Sequence, residues 1–156
     1  MTNKIISWNE YFMGVAVLSG YRSKDPNTRV GACIVNEDKK IVGIGYNGLP
    51  KGCKDSDFPW HSQSSNLSQT KYPYVVHAEA NAILNATTNL KNCTIYVSLF
   101  PCHDCVKLII QSGIKKIIYI SDKYNGTQSD IAAKKMLDAA MVEYEKMKEV
   151  QININD

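Results

Sequence analysis

The chain has 156 residues, a formal net charge of +3 and a charged fraction of 21%. Such a length fits one domain with a sizeable core, and the modest charge leaves no dense basic stripe for a nucleic-acid duplex, although it suits a small anionic substrate. No apolar run approaches transmembrane length, and the N-terminus lacks the apolar core of a signal peptide. We therefore expect no nucleic-acid partner, no membrane association and a cytoplasmic location.

The first predicted elements are a helix and a β-hairpin. Ser7 and Glu10 have capping-box spacing before apolar residues at helical intervals, which predicts a helix that ends near Gly20. Two short β-rich runs follow at 30–35 and 41–46, and the polar segment between them predicts a hairpin.

The rest of the chain alternates helices and strands after a long polar loop. Residues 47–76 are rich in Gly, Pro, Ser and Asn, which indicates a functional or partly disordered loop. The pattern then predicts a helix over 78–86, a strand over 94–99, a helix from Cys102 or His103 to Gly113, a strand over 116–121, a helix from about 129 to 144 and a short final strand at 150–153. Alternation after a hairpin predicts a three-layer α/β/α fold, a mixed five-stranded sheet with helices on both faces.

Two short motifs carry most of the chemistry, HAE at 77–79 and PCHDC at 101–105. The imidazole of His77 and the thiolates of Cys102 and Cys105 suit Zn²⁺, and three protein ligands leave a fourth tetrahedral position open for water. Alone, a Cys-x-x-Cys pair also fits a redox pair or part of a structural zinc site, and a lone histidine is seldom a ligand. In this order, however, the two motifs form the signature of the zinc nucleobase deaminases.

Five further segments resemble one branch of these enzymes. They are RSKDPN at 22–27, VGACIV at 30–35, GIGYNG at 43–48, KYPY at 71–74 and SDKY at 121–124. With the zinc motifs, they make the chain similar to the deoxycytidylate (dCMP) deaminases of the cytidine deaminase superfamily. This resemblance implies that residues 1–156 form one zinc-dependent domain with the cytidine-deaminase-like fold. It also implies hydrolysis of dCMP to dUMP and ammonia, which supplies dUMP for thymidylate synthesis.

Glu79 is the predicted catalytic residue. Two thiolates already neutralise the charge of zinc, so the metal should acidify its water less than an all-histidine site would, and a nearby base is needed. Glu79 lies two residues from the ligand His77 and can move a proton from the zinc-bound water to N3 of the pyrimidine and then to the leaving amine. The alternative is that Glu79 is only a favourable acidic residue in the first turn of a helix.

The resemblance also implies a substrate-binding set. It places Asn27 near the 3′-hydroxyl of dCMP and Tyr124 near the phosphate or base, with Ser23, Lys24 and Ala78 completing the set. A lysine, a hydroxyl and exposed N–H groups in one turn suit a phosphate group. The turn at 23–27 also fits a plain solvated turn.

The start of the long loop resembles an effector-binding segment. The family members of this type are hexamers that dCTP with Mg²⁺ activates and dTTP inhibits, so the resemblance implies a homo-oligomer with an allosteric nucleotide site. Asn47, Gly48, Lys51 and Gly52 are the predicted residues of that site, since glycines let backbone N–H groups approach phosphates closely. An ordinary Asn-Gly turn after a strand is the alternative.

Other assignments stay open at this point. A tRNA adenosine deaminase, a riboflavin-pathway deaminase or a dCTP-accepting enzyme would keep the same zinc chemistry, although a tRNA enzyme needs more cationic surface. A non-catalytic zinc-stabilised nucleotide-binding module has no use for Glu79. Of the remaining cysteines, Cys33 and Cys93 are expected to be buried free thiols, and Cys53 with His61 is a weak candidate for a second metal site.

Overall fold

A five-stranded mixed sheet forms the centre of the computed structural model, which describes residues 3–155. The strands are β1 (Gly31–Val35), β2 (Ile41–Tyr46), β3 (Thr94–Leu99), β4 (Lys116–Ser121) and β5 (Glu143–Lys146), in the order β2-β1-β3-β4-β5. Strand β1 is antiparallel to both β2 and β3, whereas β3, β4 and β5 run parallel. The predicted hairpin and the predicted mixed five-stranded sheet are confirmed.

Helices cover both faces of the sheet, which confirms the three-layer architecture. The helices are α1 (Trp8–Gly20), α2 (Ala78–Leu84), α3 (His103–Ser112) and α4 (Gln128–Ala139). Alternate strand residues enter two separate clusters: Ile34 packs with α2, α3 and α4, whereas its neighbour Cys33 packs with α1. The central strands are thus buried on both faces, as their continuous apolar runs predict. Among residues 3–155, no helix is long and apolar enough to cross a membrane.

The start of α1 and the end of α3 follow the predicted signals, whereas α2 ends earlier than predicted. The Ser7 hydroxyl accepts a hydrogen bond from the Glu10 N–H at 3.0 Å, and the Glu10 carboxylate accepts one from the Ser7 N–H at 3.1 Å, so the capping box forms. Helix α3 ends at Gly113, whose φ of +88° is a conformation that glycine adopts without a Cβ penalty. Helix α2 ends at Leu84, two residues before the predicted end.

The C-terminal predictions are wrong after Ala139. Helix α4 ends there, Met141 takes a φ of +56°, and residues Glu143–Lys146 form β5 on the free edge of β4. The segment 139–144 contains good helix formers, but the unpaired edge of β4 offers backbone partners that local propensity does not reveal. Residues 150–153 are described by the structure but form no strand. Val150 and Ile152 of this segment instead pack against Gly14 of α1.

Two glycines allow α2 to lie directly on the edge strand β2. A Cβ atom at Gly45 would lie 2.4 Å from the Ala82 nitrogen, and one at Gly43 would lie 2.5 Å from the Ala82 oxygen. The close approach lets the Asn81 amide donate to the Tyr46 carbonyl at 2.8 Å. Helix α2 is therefore held in a fixed position on the sheet, and its first turn carries the HAE motif.

Candidate active site

Two helix N-termini bring the predicted zinc ligands together. His77 is the N-cap residue of α2, Cys102 is the N-cap residue of α3, and Cys105 lies in the first turn of α3. The His77 Nδ1 atom lies 3.4 Å from each of the two Sγ atoms, and all three ligand atoms lie within 4.8 Å of one another. Within residues 3–155, this is the only group of three or more His, Cys, Asp or Glu residues with such geometry.

The ligand spacing fits a tetrahedral zinc ion. Zn–N and Zn–S bonds of about 2.0 and 2.3 Å put the nitrogen and sulfur atoms about 3.5 Å apart, close to the spacing in this structure. Hydrogen bonds from Cys105 and, to a smaller extent, from His77 lower the pKa of the Cys102 thiol to about 4, which favours its thiolate form. The hydrogen bond with Cys102 is also the main reason that the pKa of His77 is raised to about 8. The three side chains supply one nitrogen and two sulfur atoms, a ligand set that zinc commonly has in proteins.

The Glu79 carboxyl group is buried beside these ligands. Glu79 is 4% exposed. Burial raises the pKa of its carboxyl group, although the charge of His77 opposes part of that increase. An acid placed only to stabilise a helix N-terminus normally stays in water. A carboxyl group with a raised pKa is a stronger proton acceptor than an ordinary carboxylate, which suits it to proton transfer.

A cavity of about 350 Å³ opens from the ligand group to the surface. His77, Glu79 and Cys102 are among the residues that line it. Its apolar lining includes Val30, Val75, Ala78, Leu99, Phe100 and Pro101. Its polar residues include Asp25, Thr28, Asn47, Lys71, Asp122, Tyr124, Asn125, Thr127, Ser129 and Asp130. This volume is within the range of small-molecule sites, and the mixture of apolar walls and a few polar groups is typical of them.

The sequence that forms this site matches a protein-family model. The model for the cytidine and deoxycytidylate deaminase zinc-binding region matches residues 6–121, which include all three ligands and Glu79. The chain belongs to the cytidine and deoxycytidylate deaminase family. The resemblance read from the sequence is thereby confirmed.

Individual members of this family are similar over most of the deaminase chain. The deoxycytidylate deaminase of Homo sapiens is 56% identical over 142 residues, which are 90% of this chain and 80% of the human protein. The Mus musculus enzyme of the same name is 54% identical over a segment of the same length and coverage. The crystal structure of the dCMP deaminase from cyanophage S-TIM5, in complex with dCMP and dUMP, has a TM-score of 0.73 at 28% identity, covering 93% of this chain and 100% of that one.

The structure brings only part of the predicted substrate set to the deaminase cavity. Ala78 and Tyr124 line it. Ser23 is 3% exposed and its hydroxyl accepts the Asp25 N–H, whereas Lys24 is directed to an ion pair with Asp55. Asn27 lines a separate shallow surface pocket beside Trp60 and His61.

Of the predicted effector residues, Asn47 lies in the wall of the deaminase cavity. Its Oδ1 atom accepts the Val30 N–H and its Nδ2 atom donates to the Thr28 carbonyl, both at 2.9 Å. Asn47 therefore supports Thr28 and Val30, which also line the cavity. Gly48 pairs with Val76, just before the first ligand. Lys51 and Gly52 are exposed on the loop, outside the cavity lining.

The sequence interpretation missed a buried ion pair in the cavity wall. The Lys71 Nζ atom lies 2.7 Å from the Asp25 carboxylate, and the two side chains are 10% and 2% exposed. Burial alone would raise the pKa of Asp25, but hydrogen bonds from Lys71 and from the backbone N–H groups of Asn27 and Thr28 outweigh burial and lower that pKa. The pair therefore joins the 23–28 turn to the end of the long loop.

Replacing Lys71 with methionine is expected to lower the unfolding free energy by about 3–5 kcal/mol at pH 7, because it leaves the Asp25 charge buried and unpaired. Urea unfolding measures this loss. In the parent protein, ionised Asp25 contributes to the unfolding free energy at pH values above its ordinary pKa of about 3.9. This contribution disappears as the pH falls through the lowered pKa that Asp25 has in the folded protein. Lys24→Met removes the exposed pair with Asp55 and should cost about 0–1 kcal/mol. Equal losses in the two variants would contradict the burial argument.

Proposed function

We propose that this deaminase hydrolyses dCMP to dUMP and ammonia, which supplies dUMP for thymidylate synthesis. The observation that carries the proposal is the buried carboxyl group of Glu79 beside a three-ligand group, in a cavity that Glu79, His77 and Cys102 help to line. The identity of 54–56% to the human and mouse deoxycytidylate deaminases supports dCMP as the substrate.

The proposed reaction divides the work between a metal and Glu79. His77, Cys102 and Cys105 would hold zinc, which when bound lowers the pKa of a water molecule and so supplies a nucleophile at neutral pH. Glu79 accepts the proton that this water gives up and delivers it to N3, which makes C4 of the ring electrophilic. The water oxygen bonds to C4, Glu79 takes the second proton from the resulting C4 hydroxyl group and passes it to the amino group, and the C4–N bond breaks to release ammonia and leave a carbonyl at C4.

Apolar residues orient the base in the proposed complex. Val30, Leu99 and Phe100 line the same cavity as Glu79 and the ligands His77 and Cys102. Such walls pack on the faces of a pyrimidine and exclude bulk water, which strengthens the electrostatic interactions of Glu79 with the ring. Tyr124 is 53% exposed at the same cavity, where its ring is available to the sugar or base.

Ammonia release from four substrates tests this assignment. Zinc-loaded protein is given dCMP, deoxycytidine, CMP and dCTP in separate reactions, and kcat/KM is compared. The expected result is the highest kcat/KM for dCMP. A higher kcat/KM for dCTP would instead identify a dCTP-accepting deaminase. No turnover of any substrate by protein that carries one zinc per chain would favour the non-catalytic nucleotide-binding module.

We also propose that the enzyme is a homo-hexamer that dCTP with Mg²⁺ activates and dTTP inhibits. Gly48, Lys51 and Gly52 remain the proposed effector residues, with Asn47 between them and the cavity. Gly52 has a φ of +87° and open space around it, which suits a close approach of phosphate to its backbone. Initial rates with each nucleotide, together with sedimentation analysis, test these points. The proposed location is the cytoplasm, since none of the five cysteines forms a disulfide.

A further inference from the structure

Lys134 of α4 contacts three residues of the cavity lining but is not itself one of the lining residues. Its Nζ atom donates to the Asn125 side-chain oxygen at 2.9 Å and to the Asp130 carboxylate at 3.0 Å. The same atom lies over the Phe100 ring, 5.2 Å from its centre. Asn125, Asp130 and Phe100 all line the cavity. The lysine can therefore act on the cavity through its neighbours.

Asp130 extends these contacts to the backbone of the loop between β4 and α4. The Asp130 oxygen that contacts Lys134 also accepts the Gly126 N–H at 2.9 Å, and Asp130 is 6% exposed. Gly126 has a φ of +84°, a conformation that other residues rarely adopt, so the chain turns sharply at this point. Lys134 thus holds the loop through the side chain of Asn125 and, by way of Asp130, through the backbone of Gly126.

The contact with Phe100 joins this loop to the segment that leads to the ligand Cys102. The Phe100 ring is buried and packs edge-on against Tyr119 and Tyr144, with ring centres 4.9 and 5.8 Å apart. An ammonium group over an aromatic face is attracted by the electron-rich face of the ring. Lys134 therefore links the loop to a ring that is already fixed by apolar packing.

We propose that Lys134 is a positioning residue that holds the loop of residues 122–127 and the Phe100 ring in the arrangement that binds substrate. The inference rests on the proposed function, because it concerns how the deaminase binds its substrate. The loop supplies to the cavity lining Asp122, Tyr124, Asn125 and Thr127. Without the lysine the loop would populate other positions, and apparent affinity falls with the fraction of protein whose site is competent to bind.

The chemical step should depend little on Lys134. Glu79 and the three metal ligands lie at the starts of α2 and α3, whereas Lys134 lies on α4. A substitution that weakens the binding of substrate and transition state equally raises KM and leaves kcat unchanged. The inference therefore predicts an effect on KM and not on kcat.

Steady-state kinetics with dCMP test this prediction. Lys134→Met keeps most of the side-chain length and should raise KM by about 3- to 10-fold, the range of one net hydrogen bond, without a change in kcat. Lys134→Arg should restore most of the parental KM, because a guanidinium group can make the same contacts. Lys135→Met removes a charge from the next, exposed position of α4 and should leave KM unchanged. An unchanged KM in Lys134→Met, or a fall in kcat as large as the rise in KM, would overturn the inference.

A double variant guards against a loss of folding in Lys134→Met. Combining it with Asp130→Asn leaves no unpaired charge in the wall, and the asparagine oxygen can still accept the Gly126 N–H. The double variant should show the same rise in KM at a melting temperature close to that of the parent. A parental KM in the double variant would mean that the unpaired Asp130 charge caused the effect, which would overturn the positioning role.

Hydrogen exchange separates this inference from the proposed function, because it requires no turnover. In Lys134→Met, peptides that cover residues 122–127 should exchange about 3- to 10-fold faster than in the parent, in proportion to the larger open population, whereas those of β3 should not change. That result in a protein that does not deaminate dCMP would support the positioning role while the proposed reaction fails. Equal exchange of the loop in variant and parent would contradict the positioning role.

Discussion

Replacing Glu79 with glutamine is expected to lower kcat for dCMP by about 100- to 10,000-fold while the protein keeps one zinc per chain. Glutamine retains the shape of glutamate, but its amide cannot accept the proton of the attacking water or deliver a proton to the leaving amine. The three ligands are unchanged, so zinc binding should persist. Steady-state kinetics and metal analysis on the same sample measure both quantities.

Two comparisons make the Glu79 experiment specific. Glu149→Gln applies the same change to an exposed glutamate of the C-terminal segment and should leave kcat unaltered. Thermal unfolding of both variants shows whether the buried amide at position 79 disturbs the fold. If Glu79→Gln keeps the parental kcat with zinc bound, the proposed role of Glu79 as proton carrier is wrong.

Replacing Cys105 with serine is expected to remove both zinc and activity. A neutral serine hydroxyl is a much poorer ligand than a thiolate, and the remaining pair, His77 and Cys102, would hold zinc weakly. Zinc content after dialysis should fall from one per chain to nearly none, and turnover should fall to background. The melting temperature should also fall, because a ligand at about 1,000 times its dissociation constant stabilises a fold by about 4 kcal/mol.

Cys53→Ser is the matched control for this substitution. Cys53 is partly exposed and lies outside the ligand group, so the variant should keep one zinc per chain and the parental rate. If the parent protein holds a second zinc per chain and Cys53→Ser removes it, that result would support a second metal site formed by Cys53 and His61. Full zinc content and full activity in Cys105→Ser would contradict the ligand assignment.

Local sequence signals predicted much of the fold because the interactions they describe are themselves local. The Ser7 and Glu10 capping box depends on residues three apart, and β2 and β4 follow from short β-rich runs bounded by polar residues. The ligand motifs were recognisable for a related reason. A Cys-x-x-Cys pair at a helix start brings both thiols to one side, and HAE at another helix start adds the imidazole.

The features that the sequence did not predict depend on contacts between distant residues. Lys71 and Asp25 are 46 positions apart, and only the course of the long loop brings them together. The burial of Ser23 and the place of Asn47 in the cavity wall likewise depend on how two loops meet. Strand β5 formed in place of the last turns of a helix because the edge of β4 was free, and local propensity carries no information about that edge.

The most direct test of the account is to follow oxygen from water into the product. Zinc-loaded protein is incubated with dCMP in water enriched in oxygen-18, and the nucleotide product is examined by mass spectrometry beside a parallel measurement of ammonia. Hydrolytic deamination predicts dUMP with one oxygen-18 atom at C4 and an equal amount of ammonia. Absence of dUMP from protein with full zinc content, or dUMP without the label, would contradict the proposed reaction.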